Sequence, residues 1–416
     1  MSPFVGASPA AGASRFFRRG VVALALATVQ PAAPALAQES VFNLPGFGLP
    51  APGESVRSSA LGGAGTVLSG EVFSLDSPAP LGRFERAGFY LSLLGQQTEV
   101  EDRSASGTFE DVVFPMAQVV VPAGDLTLAV GYYQFVDFDA ALESSVVFEA
   151  ETLPATLDSE GGISVLSPAL AYALDGRTSA GVSFDIYLGS REEIRAIETL
   201  DALGRSLSTA DTLVRDFAGA GLTLGIERGL GEGLRVGASY RLRPTITSEV
   251  TDASGEGLIG RESQLDLPDE LMVAAAARLS SQVEVGALVR TSGWGGFESD
   301  ARTAGDFTNA VEIGGGVEYA PQSRTALLLG PQAPLRAGFR WRRLPVEVDG
   351  EPVREWTTSL GHGRSFGGRS RIDLVLEYGE RGSVEANGLS ERFLRFGVGV
   401  AAFEQWRRQG GGGGAN

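Results

Sequence analysis

The stretch Leu271-Met272-Val273-Ala274-Ala275-Ala276-Ala277-Arg278-Leu279-Ser280-Ser281-Gln282-Val283-Glu284-Val285-Gly286-Ala287-Leu288-Val289-Arg290 decides how the chain folds. Leu271, Val273, Ala275, Ala277 and Leu279 fall on one parity, and Met272, Ala274, Ala276 and Arg278 on the other. After the break at Ser280-Ser281 the pattern resumes, with Val283, Val285, Ala287 and Val289 alternating with Glu284, Gly286, Leu288 and Arg290. Successive side chains of a strand point to opposite faces, so this is a hairpin with one uniformly apolar face and one mixed face.

The same unit recurs down the chain. Strands are predicted near Gly88 to Val100, Val112 to Val121, Leu126 to Phe135, Ile163 to Ala173, Ser179 to Leu188, Phe217 to Glu227 and Leu234 to Thr247. The series continues with Gln264 to Leu279, Val283 to Trp294, Ala310 to Tyr319, Leu335 to Leu344, Glu355 to Gly363, Arg371 to Tyr378 and Arg392 to Phe403. That makes about fourteen strands, an even number, each near the roughly 9 to 11 residues that cross a bilayer at a tilt. Short connections such as Pro122 to Asp125, Asp175 to Thr178, Gly229 to Gly233, Ser280-Ser281 and Gly367 to Ser370 alternate with long polar ones. Those are Asp137 to Gly162, Ser190 to Asp216, Ser248 to Ser263 and Gly295 to Asn309. Tight periplasmic turns and long outer loops have this asymmetry. Pro321 to Ala333 breaks it, being a long connection where a tight turn belongs.

The faces separate a membrane barrel from a soluble sheet. Leu234, Val236, Ala238, Tyr240 and Leu242 oppose Arg235, Gly237, Ser239, Arg241 and Arg243, and Leu335, Ala337, Phe339 and Trp341 oppose Arg336, Gly338, Arg340 and Arg342. Arginine facing lipid at mid-bilayer costs about 2–4 kcal/mol, so its parity belongs to an enclosed interior. There Arg235, Arg241, Arg290, Arg336 and Arg340 are expected to pair with Asp185, Glu284, Glu312 and Glu318. Tyr240, Trp294, Tyr319, Trp341, Trp356 and Tyr378, towards strand ends, read as interfacial girdles. The fold class is therefore all-β, a transmembrane antiparallel barrel.

Composition narrows the function. Across 416 residues the formal charge is −17, which argues against nucleic acid as a partner. Cysteine and lysine are absent and His362 is the single histidine, which removes most nucleophile, base and thiolate-metal plans. Flanked by Gly361 and Gly363 in a strand, His362 reads as an interface residue, and the chain as neither an enzyme nor a holder of metal or cofactor.

Residues 1 to 37 read as a secretory signal. Arg15, Arg18 and Arg19 form its charged start, Val21 to Val29 its apolar core, and Ala35-Leu36-Ala37 the cleavage site. Residues 38 to 86 show no alternation; proline and glycine from Leu44 to Gly53, then the small residues from Arg57 to Gly65, suit a compact plug that needs a wall to pack against. The barrel is expected over 87 to 406 and a glycine-rich tail over 407 to 416. Between the long strands, Ile194, Ile197, Leu200, Leu203 and Leu207 recur at helix-like spacing, so an amphipathic lid at the outer mouth is one reading of that loop and a helix packed on neighbouring loops the other.

The order of parts resembles the FadL-type family of outer-membrane transporters for hydrophobic compounds. The resemblance is carried by Arg57-Ser58-Ser59-Ala60-Leu61-Gly62-Gly63-Ala64-Gly65, by Ser77-Pro78-Ala79, by Leu267-Pro268-Asp269 opening a strand, by Pro334 to Phe339, and by Trp406 after the last strand. It implies a fourteen-stranded barrel with an N-terminal hatch and a side exit, in which Ser77-Pro78-Ala79 stands where the family has Asn-Pro-Ala. Arg57, Gly62, Gly63, Gly65, Ser77, Pro78 and Ala79 are then hatch and gating candidates. Phe73, Leu75, Tyr133, Tyr187, Met272 and Phe393 are candidates for an apolar ligand pocket, or for filler between hatch and wall. The expected partners are a hydrophobic small molecule, membrane lipid and lipopolysaccharide, with the chain a monomer. A general porin for polar solutes, and a structural or adhesion protein of the outer surface, are the competing readings.

Overall fold

The computed structural model describes residues 40–43, 47–103, 105–148, 151–200, 206–254, 258–297, 306–321, 333–366 and 370–404. The expected signal, Leu44-Pro45-Gly46, most of the Pro321 to Ala333 connection, Trp406 and the tail lie outside them.

Eighteen strand segments follow one another: β1 (Ala87–Asp102), β2 (Ser106–Val113), β3 (Met116–Ala123), β4 (Leu126–Asp137), β5 (Ala140–Phe148), β6 (Glu151–Ala173), β7 (Thr178–Leu200), β8 (Ser206–Leu230) and β9 (Leu234–Ala253) come first. Then come β10 (Glu262–Asp266), β11 (Glu270–Arg278), β12 (Val283–Ser292), β13 (Asp306–Phe307), β14 (Ala310–Tyr319), β15 (Leu335–Val348), β16 (Glu351–Phe366), β17 (Ser370–Ser383) and β18 (Leu389–Glu404). Four pairs of segments share a single place in the wall. β2 and β3 both pair with β1, β4 and β5 with β6, β10 and β11 with β9, and β13 and β14 with β15. The result is a closed antiparallel barrel of 14 strands. It is sealed where β1 meets β18 in unbroken register from Ala87↔Glu404 to Asp102↔Leu389.

The opening hairpin behaves as its alternation demands. β11 and β12 pair from Glu270↔Ser292 to Arg278↔Glu284; Leu271, Val273 and Val289 are exposed, whereas Met272, Ala274, Ala276, Leu288 and Arg290 are buried. Repeated round the wall, the exposed set makes an apolar belt that includes Phe89, Leu128, Leu170, Phe184, Ile226, Ile313, Phe339, Leu376 and Phe396. A belt of this kind suits acyl chains, and the buried parity faces the interior.

Two expectations are corrected. The long connections after β4 and β7 are largely strand: β6 and β7 run 23 residues each and β8 runs 25. The apolar spacing from Ile194 to Leu207 is therefore not helical where it is described, since β7 and β8 keep pairing through Ile194↔Thr212 and Ile197↔Thr209. Beyond the bilayer both faces of a sheet meet water, so the period-two signal disappears while the backbone ladder continues. Trp294 is no girdle residue: it is buried, in a short 3-10 turn (Trp294–Gly296) above β12. Tyr240, Tyr319 and Tyr378 are exposed, and Trp356 meets Tyr378 edge-on at 5.7 Å.

Candidate functional site

The segment from Ser40 to Arg86 touches the inward face of nearly every wall strand. At the tall end, opposite the short turns, Ser40 Oγ donates to both oxygens of Glu391 at 2.9 Å, and the Val41 N–H donates to the same carboxylate at 2.6 Å. Phe42 packs with Leu344, Val346 and Val353. The chain then crosses to β4, where the Ala51 N–H donates to the Phe135 carbonyl at 2.7 Å, and turns through α1 (Val56–Ser59) at mid-height. Leu61, Ala64, Val67 and Leu68 close against Ala274, Ala276 and Leu288, so the mixed face of the opening hairpin is a seat for this segment.

Charged contacts hold it on the side formed by β11 to β18. Glu54 pairs with Arg340 at 2.5 Å, Arg57 with Glu318 at 2.7 Å and Asp76 with Arg290 at 2.9 Å. These pairs run on into the wall. Glu318 also takes Arg336 at 2.6 Å, Arg336 takes Asp373 at 2.7 Å, and Arg381 bridges Glu355 and Glu391 at 2.7 and 2.9 Å. Gly62 has φ +62, and a Cβ there would run into the Phe339 carbonyl, so backbone lies directly on backbone.

The other side of the interior is aromatic. Phe47 sits among Phe135, Phe138, Phe217, Trp294 and Phe297 with ring centroids 5.7 to 6.5 Å away. Phe135 passes the contact to Tyr187 at 5.3 Å and Tyr133 at 6.3 Å. Towards the short-turn end Phe73 meets Phe84, Tyr90 and Phe403 at 5.0, 5.1 and 5.8 Å. All of these rings belong to one apolar cluster. Beside it the wall is incomplete: among the described residues β2 is laddered only to β1 and β5 only to β6, so their facing edges above Phe114-Pro115 are not joined.

A family model described as BamG matches residues 17–410. The chain belongs to the BamG family. A comparison with curated proteins gives no match. Among solved structures the chain is similar to a Pseudomonas aeruginosa FadL homologue, at 11% identity and TM-score 0.60 over 85% of this chain and 99% of that one. It is also similar to the Ralstonia pickettii toluene transporter TbuX, at 18% identity and TM-score 0.56 over 88% of this chain and 100% of that one. The Pseudomonas putida toluene transporter TodX gives 16% identity and TM-score 0.52 over 88% and 99%. At these identities the likeness is one of fold, and the fold is FadL-type.

Within that fold the predicted residues separate into groups. Phe73, Leu75, Tyr133 and Tyr187 come together in the apolar cluster. Met272 does not join them; it lies beside Arg290, whose Nη2 is 3.6 Å from its sulfur. Phe393 stands apart too, with the guanidinium carbons of Arg395 and Arg381 4.1 and 5.4 Å from its ring centre. Arg57, Gly62, Gly63 and Gly65 form the mid-height turn, where Ser58 Oγ donates to the Gly63 carbonyl at 2.8 Å and accepts from the Gly65 N–H at 3.1 Å. Ser77, Pro78 and Ala79 lie against Gly181 and Gly225 on β7 and β8, and Ser179 Oγ donates to the Ala79 carbonyl at 2.9 Å.

Sequence reasoning missed Phe47, Phe138, Phe217, Trp294 and Phe297. The signal for Phe135 and Phe138 was present, because Phe135-Val136 breaks the alternation at a bulge between Gln134 and Val136. The expected charge pairs also change. Arg290, Arg336 and Arg340 find Glu312 or Glu318, but Glu284 binds Ser69, and Asp185 accepts from Ser167, Ser183 and Thr223. Arg243 is exposed beside Asp269, because a bulge between Ala220 and Leu222 shifts the β8–β9 register.

Proposed function

We propose that this protein is an outer-membrane transporter that lets hydrophobic small molecules, fatty acids or hydrocarbons, pass without an energy source. The observation that supports this best is the ring cluster round Phe47. An aromatic side chain of the luminal segment occupies a cage made by the wall, and a greasy solute is a chemical equivalent of that ring. Dispersion and apolar burial are non-directional, so a solute that replaces Phe47 recovers most of what its departure loses. The segment from residue 38 to 86 acts as the hatch: the turn of Arg57, Gly62, Gly63 and Gly65 is its fixed hinge, Ser77-Pro78-Ala79 its lower edge, and Phe73, Leu75, Tyr133 and Tyr187 continue the path below the cage. The unjoined edges of β2 and β5 suit a sideways exit. The short turns face the periplasm, the chain arrives by a cleaved signal peptide, and it works as a monomer among lipid and lipopolysaccharide. The toluene transporters of the same fold make apolar solutes the first to try.

The test is uptake of toluene and dodecanoate into proteoliposomes, with planar-bilayer conductance measured in parallel. Flux above empty liposomes with little ion conductance is expected; conductance without apolar flux identifies a porin instead. One observation favours a second reading, a sealed structural barrel. The hatch is clamped by buried ion pairs and by backbone contact at Gly62. Absence of both flux and conductance, in protein that migrates as a folded barrel, selects it.

A further inference from the structure

The outward face of the wall changes character at one place on β15 and β16. Climbing from the short-turn end, Ala337 stands opposite Leu360, Phe339 opposite Thr358, Trp341 opposite Trp356 and Arg343 opposite Arg354. Phe339 and Leu360 are exposed members of the apolar belt. The next outward arginine down β16 is Arg364, and the rise from it to Arg354 is about 25 Å at about 3.3 Å per residue and a tilt near 40°, the height of a lipid-facing band. Arg343 and Arg354 therefore stand at the tall edge of that band, just above a tryptophan pair of the kind that marks a headgroup boundary. Beyond Arg343 the β15–β16 register shifts and Leu344, Pro345 and Val346 are all buried, so the outer face recedes above the two guanidinium groups.

Other outward arginines at the tall end bring their own counter-charge. Arg392 has Glu101 at 3.0 Å and Glu99 at 3.6 Å, and Arg243 has Asp269 at 3.7 Å. Among the described residues Arg343 and Arg354 have no carboxylate partner: Arg343 Nε donates to the Asn309 carbonyl at 2.8 Å, and Glu380, opposite Trp356 on β17, pairs with neither. Like charges directly opposite on a ladder repel, so the arrangement is costly until an anion lies between them.

We propose that Arg343 and Arg354 together hold a phosphate group on the headgroup of an outer-leaflet glycolipid, whose acyl chains run down the wall past Trp341, Trp356 and Phe339. Two guanidinium forks suit phosphate oxygens. A lipid is favoured over a free anion because the apolar belt directly below takes the chains of the same molecule. The site rests on the orientation given with the transport reading, short turns towards the periplasm, and is independent of what crosses the lumen.

The experiment is native mass spectrometry of the full-length barrel in a non-ionic detergent, titrated with diphosphorylated lipid A and with the same lipid dephosphorylated. The native protein is expected to prefer the phosphorylated form by roughly ten-fold or more, the usual worth of charge-assisted hydrogen bonds. The double variant Arg343→Gln, Arg354→Gln loses that preference with dephosphorylated binding unchanged, and Arg364→Gln keeps it. Heat-modifiable gel migration checks folding; if the double variant does not fold, Arg354→Gln alone and the native ratio decide. Equal native affinity for the two lipids, a preference that survives the double variant, or one lost equally in Arg364→Gln overturns the site. Displacement of lipid A by an equimolar amount of inorganic phosphate overturns the lipid as its source. Orientation has its own arm, since the chain has no cysteine: Glu351→Cys, exposed at the tall end, should react with a membrane-impermeant maleimide on intact cells. Protection until the outer membrane is broken overturns the outer-leaflet assignment, whereas absent toluene flux with the lipid preference intact overturns transport alone.

Discussion

In the barrel interior most of the large ring cluster lies on the side of β1 to β9, completed by Trp294 and Phe297, whereas most of the buried arginine–carboxylate pairs lie on β11 to β18. The same segment, residues 40 to 86, is bound by both, but the two kinds of contact differ in what happens when they are broken. A buried ion pair is directional, and loss of one member strands the other in low dielectric. An apolar contact is exchangeable, because any group of similar size and polarity restores it. The charged side therefore fixes where the segment sits, and the aromatic side decides what can take its place.

The comparison breaks most sharply at Arg336, which serves both Glu318 and Asp373. Arg336→Met leaves two buried carboxylates under-compensated and is expected to cost about 3–5 kcal/mol, seen as a marked fall in the temperature at which the folded band is lost on semi-native gels. A cost near zero there means the charged side does not hold the fold. Next is Gly62→Ala. Its left-handed backbone alone costs about 1–2 kcal/mol, and the Phe339 carbonyl blocks the new methyl. Faster protease nicking between residues 40 and 86 is the readout, with the barrel itself intact.

On the aromatic side Phe47→Leu keeps most of the apolar volume and is expected to cost under about 1.5 kcal/mol. Its toluene flux should rise, since a smaller, more mobile side chain is easier to displace; unchanged flux places the barrier elsewhere. The smallest effect lies outside both halves, in the turn between β6 and β7. The N–H of Arg177 donates to Asp175 and holds its carboxyl below the ordinary value. A depressed carboxyl adds stability above its ordinary pKa and loses it as pH falls through the lowered one. The native protein should thus lose slightly more thermal stability between pH 5 and pH 2 than Asp175→Asn does.

The fold was legible to an unusual degree. Alternation at Leu271 to Arg290, and again at Leu234 to Arg243 and Leu335 to Arg342, specified the strand number and which parity faces inward, because each lipid-facing residue obeys a rule that involves only its own side chain and the bilayer. The rule fails where the bilayer ends, so the strand from Glu151 to Gly162 and from Ser190 to Leu200 carries the polar pattern of a loop. It also fails at the bulges in β4 and β8–β9, which reverse parity without announcing it. The candidate site was half legible: Phe73, Leu75, Tyr133 and Tyr187 share a cluster, whereas Met272 and Phe393 pack against arginines, an environment that an apolar side chain does not advertise.

By itself, then, the sequence determined a closed membrane barrel with an enclosed charged face, since contact with lipid is imposed strand by strand and is written locally. Only the tertiary structure decided that Phe47 is caged by Phe217 and Trp294, that Glu54 answers Arg340, and that Arg343 stands opposite Arg354. The contacts of Phe47 and Glu54 join residues 170 to 286 positions apart, and they depend on the register of every strand between them and on the path of one irregular segment through the middle.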